Sequence, residues 1–244
     1  MKRMGVYALF AVAVTLWGIP GHATLIDNGG GLIYDTDLNI TWYDYTYAPQ
    51  NQGNGGDGAT WDQAMSWATG LNAGGVVGWR LPHVLPVNGS GYNYNWSAHG
   101  STDVGYNISA PGSVYPGSTS SEMAYLYYVE LGNKGEYDIN GNFPQPGWGL
   151  VNMGPFYNLR PFHYWSGTEC SLYAYNAWHF GFGNGAQIIN YELNTNFALA
   201  VHSGDVLGNG VVLPNGPTVP IPGAVLLLVP GLASIAVLRR KFKK

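Results

Sequence analysis

Two apolar runs that a water-soluble fold could not leave on its surface bracket this chain and confine the folded body to what lies between them. At the front, Lys2 and Arg3 precede an almost unbroken apolar run from Val6 to Trp17, and Gly21 and Ala23 place small residues where a signal peptidase reads. That run is too short to span a bilayer, so the expectation is a signal peptide over 1–23, removed to leave Thr24 at the mature N-terminus. At the other end, the stretch from Val219 to Leu238 carries no charge and is followed by Arg239, Arg240, Lys241, Lys243 and Lys244. It is long enough for a transmembrane helix whose basic flank stays on the cytoplasmic side. The body is then expected to be exported, through an inner-membrane intermediate, to the cell surface or the extracellular space.

Pro220, Pro222 and Pro230 are unusual in a simple anchor, because each removes a backbone donor. The order of proline motif, apolar helix and Arg-rich tail over 219–244 resembles the PEP-CTERM sorting signal of Gram-negative bacteria, in its Val219-Pro220-Ile221-Pro222 variant. Ile221 departs from the Glu that is commonest there. The resemblance implies an exosortase-type peptidase as partner, beside signal peptidase, in bacteria that make extracellular polysaccharide. A plain tail anchor is the alternative.

Removing both ends changes the charge. Only Arg80, Lys134 and Arg160 remain in 24–218, against 14 Asp and Glu, a formal net charge of −11. Such a surface repels nucleic acid and anionic lipid, and suits cations, neutral sugars or plain solubility outside the cell. The body is the size of one domain, set at 24–205 with a Gly-, Asn- and Pro-rich linker at 206–218. It keeps all but one of the nine Trp and all but one of the 18 Tyr, a composition that argues against disorder. Cys170 stands alone, so no intramolecular disulfide can form, and a small buried residue is the simplest role for it.

Patterning predicts strands at both ends of the body and helices between. Gly31–Asp35 and Asn39–Tyr43, joined by Thr36-Asp37-Leu38, read as a hairpin. Thr60-Trp61-Asp62-Gln63 is a capping box, and Trp61, Ala64, Met65, Ala68 and Leu71 recur on one helical face before Gly74 and Gly75. Thr119-Ser120-Ser121-Glu122 reads as a second box, opening a helix with Met123, Leu126, Tyr127 and Leu131 on its apolar face. Strands follow at Tyr164–Ser166, Ala177–Phe182, Ala186–Tyr191 and Phe197–Val201, with Gly183-Asn184-Gly185 as a hairpin turn. Pro86–Gly117, rich in Gly, Ser, Asn and Tyr, is too long for an ordinary connection and reads as a functional or a mobile loop.

Trp61-Asp62-Gln63-Ala64, Gly78-Trp79-Arg80-Leu81-Pro82, Tyr164-Trp165-Ser166-Gly167-Thr168-Glu169, Ala177-Trp178 and Ala198-Leu199-Ala200-Val201 together resemble the Lcl C-terminal domain family, a family of unknown function, over Leu32 to Asp205. The branch of it that ends in PEP-CTERM tails is the closer likeness. The resemblance implies an α+β, C-type-lectin-like fold: antiparallel sheets that pair the two ends, two helices and a long loop region. Leu32–Tyr43 should then share a sheet with Ala177–Val201. His83 and His202 depart from the family pattern, and the calcium-lectin sugar triplets are absent, so sugar binding is implied only weakly.

The chemistry-bearing residues lead away from catalysis. There is no Gly-x-Ser-x-Gly elbow, no phosphate loop and no close His spacing for zinc, so no enzyme and no cofactor is expected. Asp138-Ile139-Asn140-Gly141-Asn142 offers oxygen ligands of the kind calcium takes but lacks a closing Glu, so it reads better as a turn. Trp79, Arg80, Trp165 and Trp178 read as structural, with Arg80 held by a carboxylate or by strand-end carbonyls. Tyr92, Tyr94, Trp96, Tyr106 and Tyr115 remain as candidate ligand-binding residues, because aromatic faces beside amide side chains suit sugar rings. The expectation is a surface or matrix binding protein contacting exopolysaccharide, with a structural or adhesion role toward a protein partner as the alternative and an extracellular hydrolase as the remote one.

Overall fold

The structure, a computed structural model, describes residues 24–50 and 57–207. The expected signal peptide, nearly all of the expected linker, and the expected sorting motif with Val219, Pro220, Pro222, Arg239 and Arg240 lie outside the described residues. The fold is α+β and mostly antiparallel. Strands β1 (Leu25–Asp27), β2 (Leu32–Asp35), β3 (Ile40–Tyr47) and β9 (Ala198–Ser203) form one sheet in that order. The second sheet has the order β4 (Trp96–Ser97), β5 (Val104–Gly105), β8 (Gln187–Tyr191), β7 (Asn176–Gly181), β6 (His163–Glu169), with β4 and β5 its one parallel pair. Among the described residues no helix is long and apolar enough to cross a membrane.

Strand β9 shows why the sheets close on each other. Its residues alternate, Leu199 and Val201 into one apolar core, Ala198 and Ala200 into a second, and all four are buried. A strand covered on both faces reads as an unbroken apolar run, as Ala198–Val201 does. Beside it, Phe197 bridges to β6: its N–H donates to His163 O at 2.8 Å, and its carbonyl accepts from Trp165 N–H at 2.9 Å. The sequence expectation is therefore corrected in part. Of the C-terminal strands only the last joins the N-terminal hairpin, while β7 and β8 lie in the other sheet, β7 between β6 and β8.

Helix α1 (Trp61–Gly70) forms as its box dictates, with Gln63 N–H donating to Thr60 Oγ1 and Thr60 N–H to Gln63 Oε1. It lays Ala64 and Ala68 into the second core. Helix α2 (Glu122–Tyr125) differs from the prediction. Ser121, not Thr119, is its cap, accepting from Ala124 N–H, so Glu122 starts the helix rather than closing a box. A π-helical turn, Leu126–Glu130, continues it. Burial is continuous through both turns, from Glu122 to Tyr128, so this short helix is covered on every side. Val206, the first residue of the expected linker, is 1 % exposed and packs in the second core.

Candidate functional site

Pro86–Gly117 is a built segment rather than a mobile loop. Its one charged side chain, Asp103, is fully buried and accepts N–H bonds from Val87 and Asn93, both at 2.7 Å. Burial raises its carboxyl above the usual range, against the pull of those amide bonds. Gly105 (φ +127°) brings β5 against β4, where a Cβ would collide with the Ser97 carbonyl. Asn107, at φ +60°, donates through its amide to Ala98 O at 2.7 Å and to Tyr137 O at 2.8 Å, locking this segment to the next one.

That next segment, residues 133–162, has neither helix nor strand. It is stitched by amides instead: Gln145 Nε2 donates to Gly135 O at 2.6 Å and to Tyr137 O at 3.0 Å. Asn133 Oδ1 accepts from Val151 and Asn152 N–H. The Asp138–Asn142 run is a turn closed by its own carboxylate. Asp138 Oδ1 accepts from Asn140 and Asn142 N–H, each at 2.8 Å, and Oδ2 from Asn142 Nδ2 at 2.7 Å. These bonds, the Asn142 side chain first, hold that carboxyl below its usual range. Among the described residues no group of three or more His, Cys, Asp or Glu is placed to hold a metal ion.

The five candidate aromatics do not form one surface. Tyr92 and Tyr94 stack on fully buried Trp178, at 5.3 and 5.6 Å between ring centres, and their hydroxyls bond Val84 O and Ser171 Oγ. Tyr115 packs against the first core. Trp96 and Tyr106 come together at 6.4 Å and are joined by two rings the sequence reading missed, Tyr137 and Phe143. Tyr137 lies edge to face with Trp96 at 5.4 Å and against Tyr106 and Phe143 at 4.8 Å each. Trp96 and Phe143 are each 56 % exposed. Tyr106 donates to Glu136 Oε2 at 3.3 Å, and burial, then the Glu136 charge, pushes its hydroxyl up to about 12. Tyr137 and Phe143 flank the Asp138–Asn142 turn, and no periodicity marks them; only the turn's closure brings them together.

Tyr137 also connects these rings to a cavity of about 300 Å³ lined by Asn107, Tyr128, Asn133, Lys134, Asp138 and Gln145. Two of its lining residues, Asn107 and Gln145, donate to the Tyr137 carbonyl. Exposed rings therefore stand beside a hollow edged by amides, one cation and one carboxylate. Such a set can stack on an apolar face and hydrogen-bond the rim of a small polar molecule.

The residues of the Trp79–Pro82 and Tyr164–Ser166 runs act elsewhere, as cross-links. Trp79 is buried, and its indole donates to Val76 O at 2.9 Å. Leu81 lies in the second core, and Pro82 O accepts from Gly167 N–H. Tyr164 OH bonds Thr46 Oγ1 and accepts from Arg160 N–H. Trp165 Nε1 donates to Ala59 O at 2.8 Å, and Ser166 O accepts from Trp61 Nε1 at 2.8 Å. Arg80 meets Glu122 through two bonds and also donates to Leu81 O. His83 adds its Nδ1, 3.1 Å from Glu122 Oε1, and its backbone N–H.

Burial would raise the Glu122 carboxyl, but the hydrogen bonds from Arg80 and His83 outweigh it and hold it at about 2. Glu130 goes the other way. Burial first, then the charges of Asp35 and Asp37, push it to about 8. Two carboxyls with opposed environments are the signature of acid–base pairs in enzymes. Here the nearby cavity of about 230 Å³ is lined by Asp37, His83 and Glu122 and not by Glu130. Cys170 is buried, and its sulfur lies 3.4 Å from Tyr173 N.

The chain matches no protein-family model, no curated protein and no solved structure.

Proposed function

We propose that this is an exported binding module of a Gram-negative surface or extracellular matrix. On this reading its domain is C-type-lectin-like and of the Lcl C-terminal kind, delivered by a signal peptide and a PEP-CTERM tail, and it is not an enzyme. It contacts exopolysaccharide through Trp96, Tyr106, Tyr137 and Phe143. The observation that supports this is the exposure of Trp96 and Phe143 on backbone fixed by the buried side chains of Asp103 and Asn107 and by Gln145. Large rings left in water on a rigid frame lose the burial they could have had, and a stacking ligand restores it. Neutral sugars also suit a surface of this charge.

The test is retention of the protein on the producer's own exopolysaccharide, with and without calcium, for the parent and for Trp96→Ala with Tyr137→Ala. Loss of retention at unchanged helix and strand content supports the reading. Unchanged retention removes this surface from it. A protein partner is the second reading, supported by Val151 at 74 % and Tyr157 at 82 % exposure in the same helix-free segment. Retention on cells stripped of polysaccharide would favour it.

A further inference from the structure

Besides Arg80, the described residues hold two basic side chains, Lys134 and Arg160, and neither forms an ion pair with any of the 14 carboxylates, all of which lie among the described residues. Arg160 lines a cavity of about 340 Å³ with Tyr45, Thr46, Asp57, Asn158 and Phe162. An unpaired guanidinium in so acidic a body is conspicuous, because every long-range field there favours a carboxylate neighbour. Its surroundings are fixed. Arg160 N–H donates to Tyr164 OH at 2.9 Å, and Arg160 O accepts from Phe162 N–H at 2.8 Å. Asn158 is clamped by Asp44, with N–H to Oδ1 at 3.0 Å and Nδ2 to the Asp44 carbonyl at 2.9 Å. Thr46 Oγ1 donates to Asn158 O at 2.6 Å. Tyr45 and Phe162 stay 48 % and 52 % exposed, and Phe162 is braced on Phe197 at 4.6 Å.

We propose that this cavity binds a uronic-acid unit of an acidic polysaccharide. The planar guanidinium takes the sugar carboxylate through two parallel bonds. The faces of Tyr45 and Phe162 take the ring's C–H side, and the Asp57 carboxylate accepts from ring hydroxyls. One uronate carries both an anionic carboxylate and hydroxyl donors, the two functions that a cavity lined by a cation and a carboxylate can meet. The acidic body does not forbid a polyanion, because repulsion from charges beyond about 10 Å is screened at roughly 0.1 M salt while a contact pair is not. None of these residues lines the cavity beside Trp96, so the proposal stands whether or not that ring cluster binds sugar.

The test is calorimetric titration of the full chain in detergent with hexagalacturonate, maltohexaose and hexaglutamate. Hexagalacturonate should bind best, and Arg160→Gln should weaken it about tenfold or more, the loss of one charge-assisted contact. Arg160→Lys should fall between, since it keeps the charge and loses the fork. Trp96→Ala with Tyr137→Ala should leave this affinity unchanged. The proposal is overturned by absence of hexagalacturonate binding, by equal affinity in Arg160→Gln, or by hexaglutamate or maltohexaose binding as tightly. If Arg160→Gln fails to fold, Arg160→Lys decides alone, and parent-like affinity there overturns the two-bond contact.

Discussion

Arg80 and Glu122 meet in a two-pronged ion pair, Nη1 to Oε2 at 2.8 Å and Nη2 to Oε1 at 2.7 Å, that fixes the start of α2 to the segment following α1. Arg80 is also paired through its backbone with Val201, N to O at 2.9 Å and O to N at 2.8 Å. One residue thereby joins α2 to β9. The Glu122 side chain is 3 % exposed, so removing Arg80 leaves a buried charge with only the His83 contacts to compensate it. Arg80→Met should lower unfolding free energy by about 3 kcal/mol, measured by urea denaturation. Arg80→Met with Glu122→Met should recover much of that loss. A single variant as stable as the parent would mean the pair contributes nothing.

The same carboxylate sets an acid limb. Glu122 has a folded-state value of about 2, below its ordinary 4.5. The unfolded chain therefore takes up this proton more readily, and the contribution, complete above about 4.5, is lost as pH falls toward 2. Thermal midpoints between pH 5 and pH 2 should drop more steeply for the parent than for Arg80→Met with Glu122→Met. Parallel curves would count against the assignment.

Glu130 sets an opposite limb. Its folded-state value, about 8, lies above its ordinary 4.5, because it is buried near Asp35 and Asp37, with Tyr125 OH donating to Asp37 at 2.6 Å. The folded state holds this proton more tightly than the unfolded one. Its contribution is complete below about 4.5 and is lost as pH rises through 8. The thermal midpoint of the parent should fall between pH 5 and pH 8, and Glu130→Gln should flatten that fall. An equally steep fall in the variant would assign it to other groups.

What the sequence made legible is what local chemistry decides. The Thr60 and Gln63 reciprocal cap, the apolar strand at Ala198–Val201 and the Gly183–Gly185 turn all act within a few residues, and each is where the pattern puts it. The second cap was misplaced by two residues because four hydroxyl and acidic side chains in a row offer several boxes; Glu122 left the local pattern to meet Arg80, 42 positions away. Sheet partnership was half legible for the same reason, since nothing local tells β7 that its neighbour is β6 rather than β9. Of the ring cluster, Trp96 and Tyr106 were chosen by composition. Tyr137 and Phe143 were missed because Asn107 and Gln145, which hold Tyr137 in place, lie 30 and 8 residues from it.

Two rings separated by one residue in the sequence, Tyr94 and Trp96, should therefore respond in opposite ways. Tyr94 is stacked on buried Trp178 at 5.6 Å, touches Tyr173 edge to face and shares a hydrogen bond with Ser171. Tyr94→Ala should cost about 2 to 4 kcal/mol of stability, somewhat less than a fully buried aromatic, through lost stacking and burial. Trp96 is 56 % exposed and touches Tyr106 and Tyr137 only at ring edges. Trp96→Ala should shift the thermal midpoint little, within about 1 kcal/mol, yet reduce retention on polysaccharide. Differential scanning calorimetry and a polysaccharide retention assay on the two single variants separate the roles. If Trp96→Ala destabilises as much as Tyr94→Ala while retention per folded molecule is unchanged, Trp96 is a packing residue, and the ring cluster is a buttress rather than a binding face.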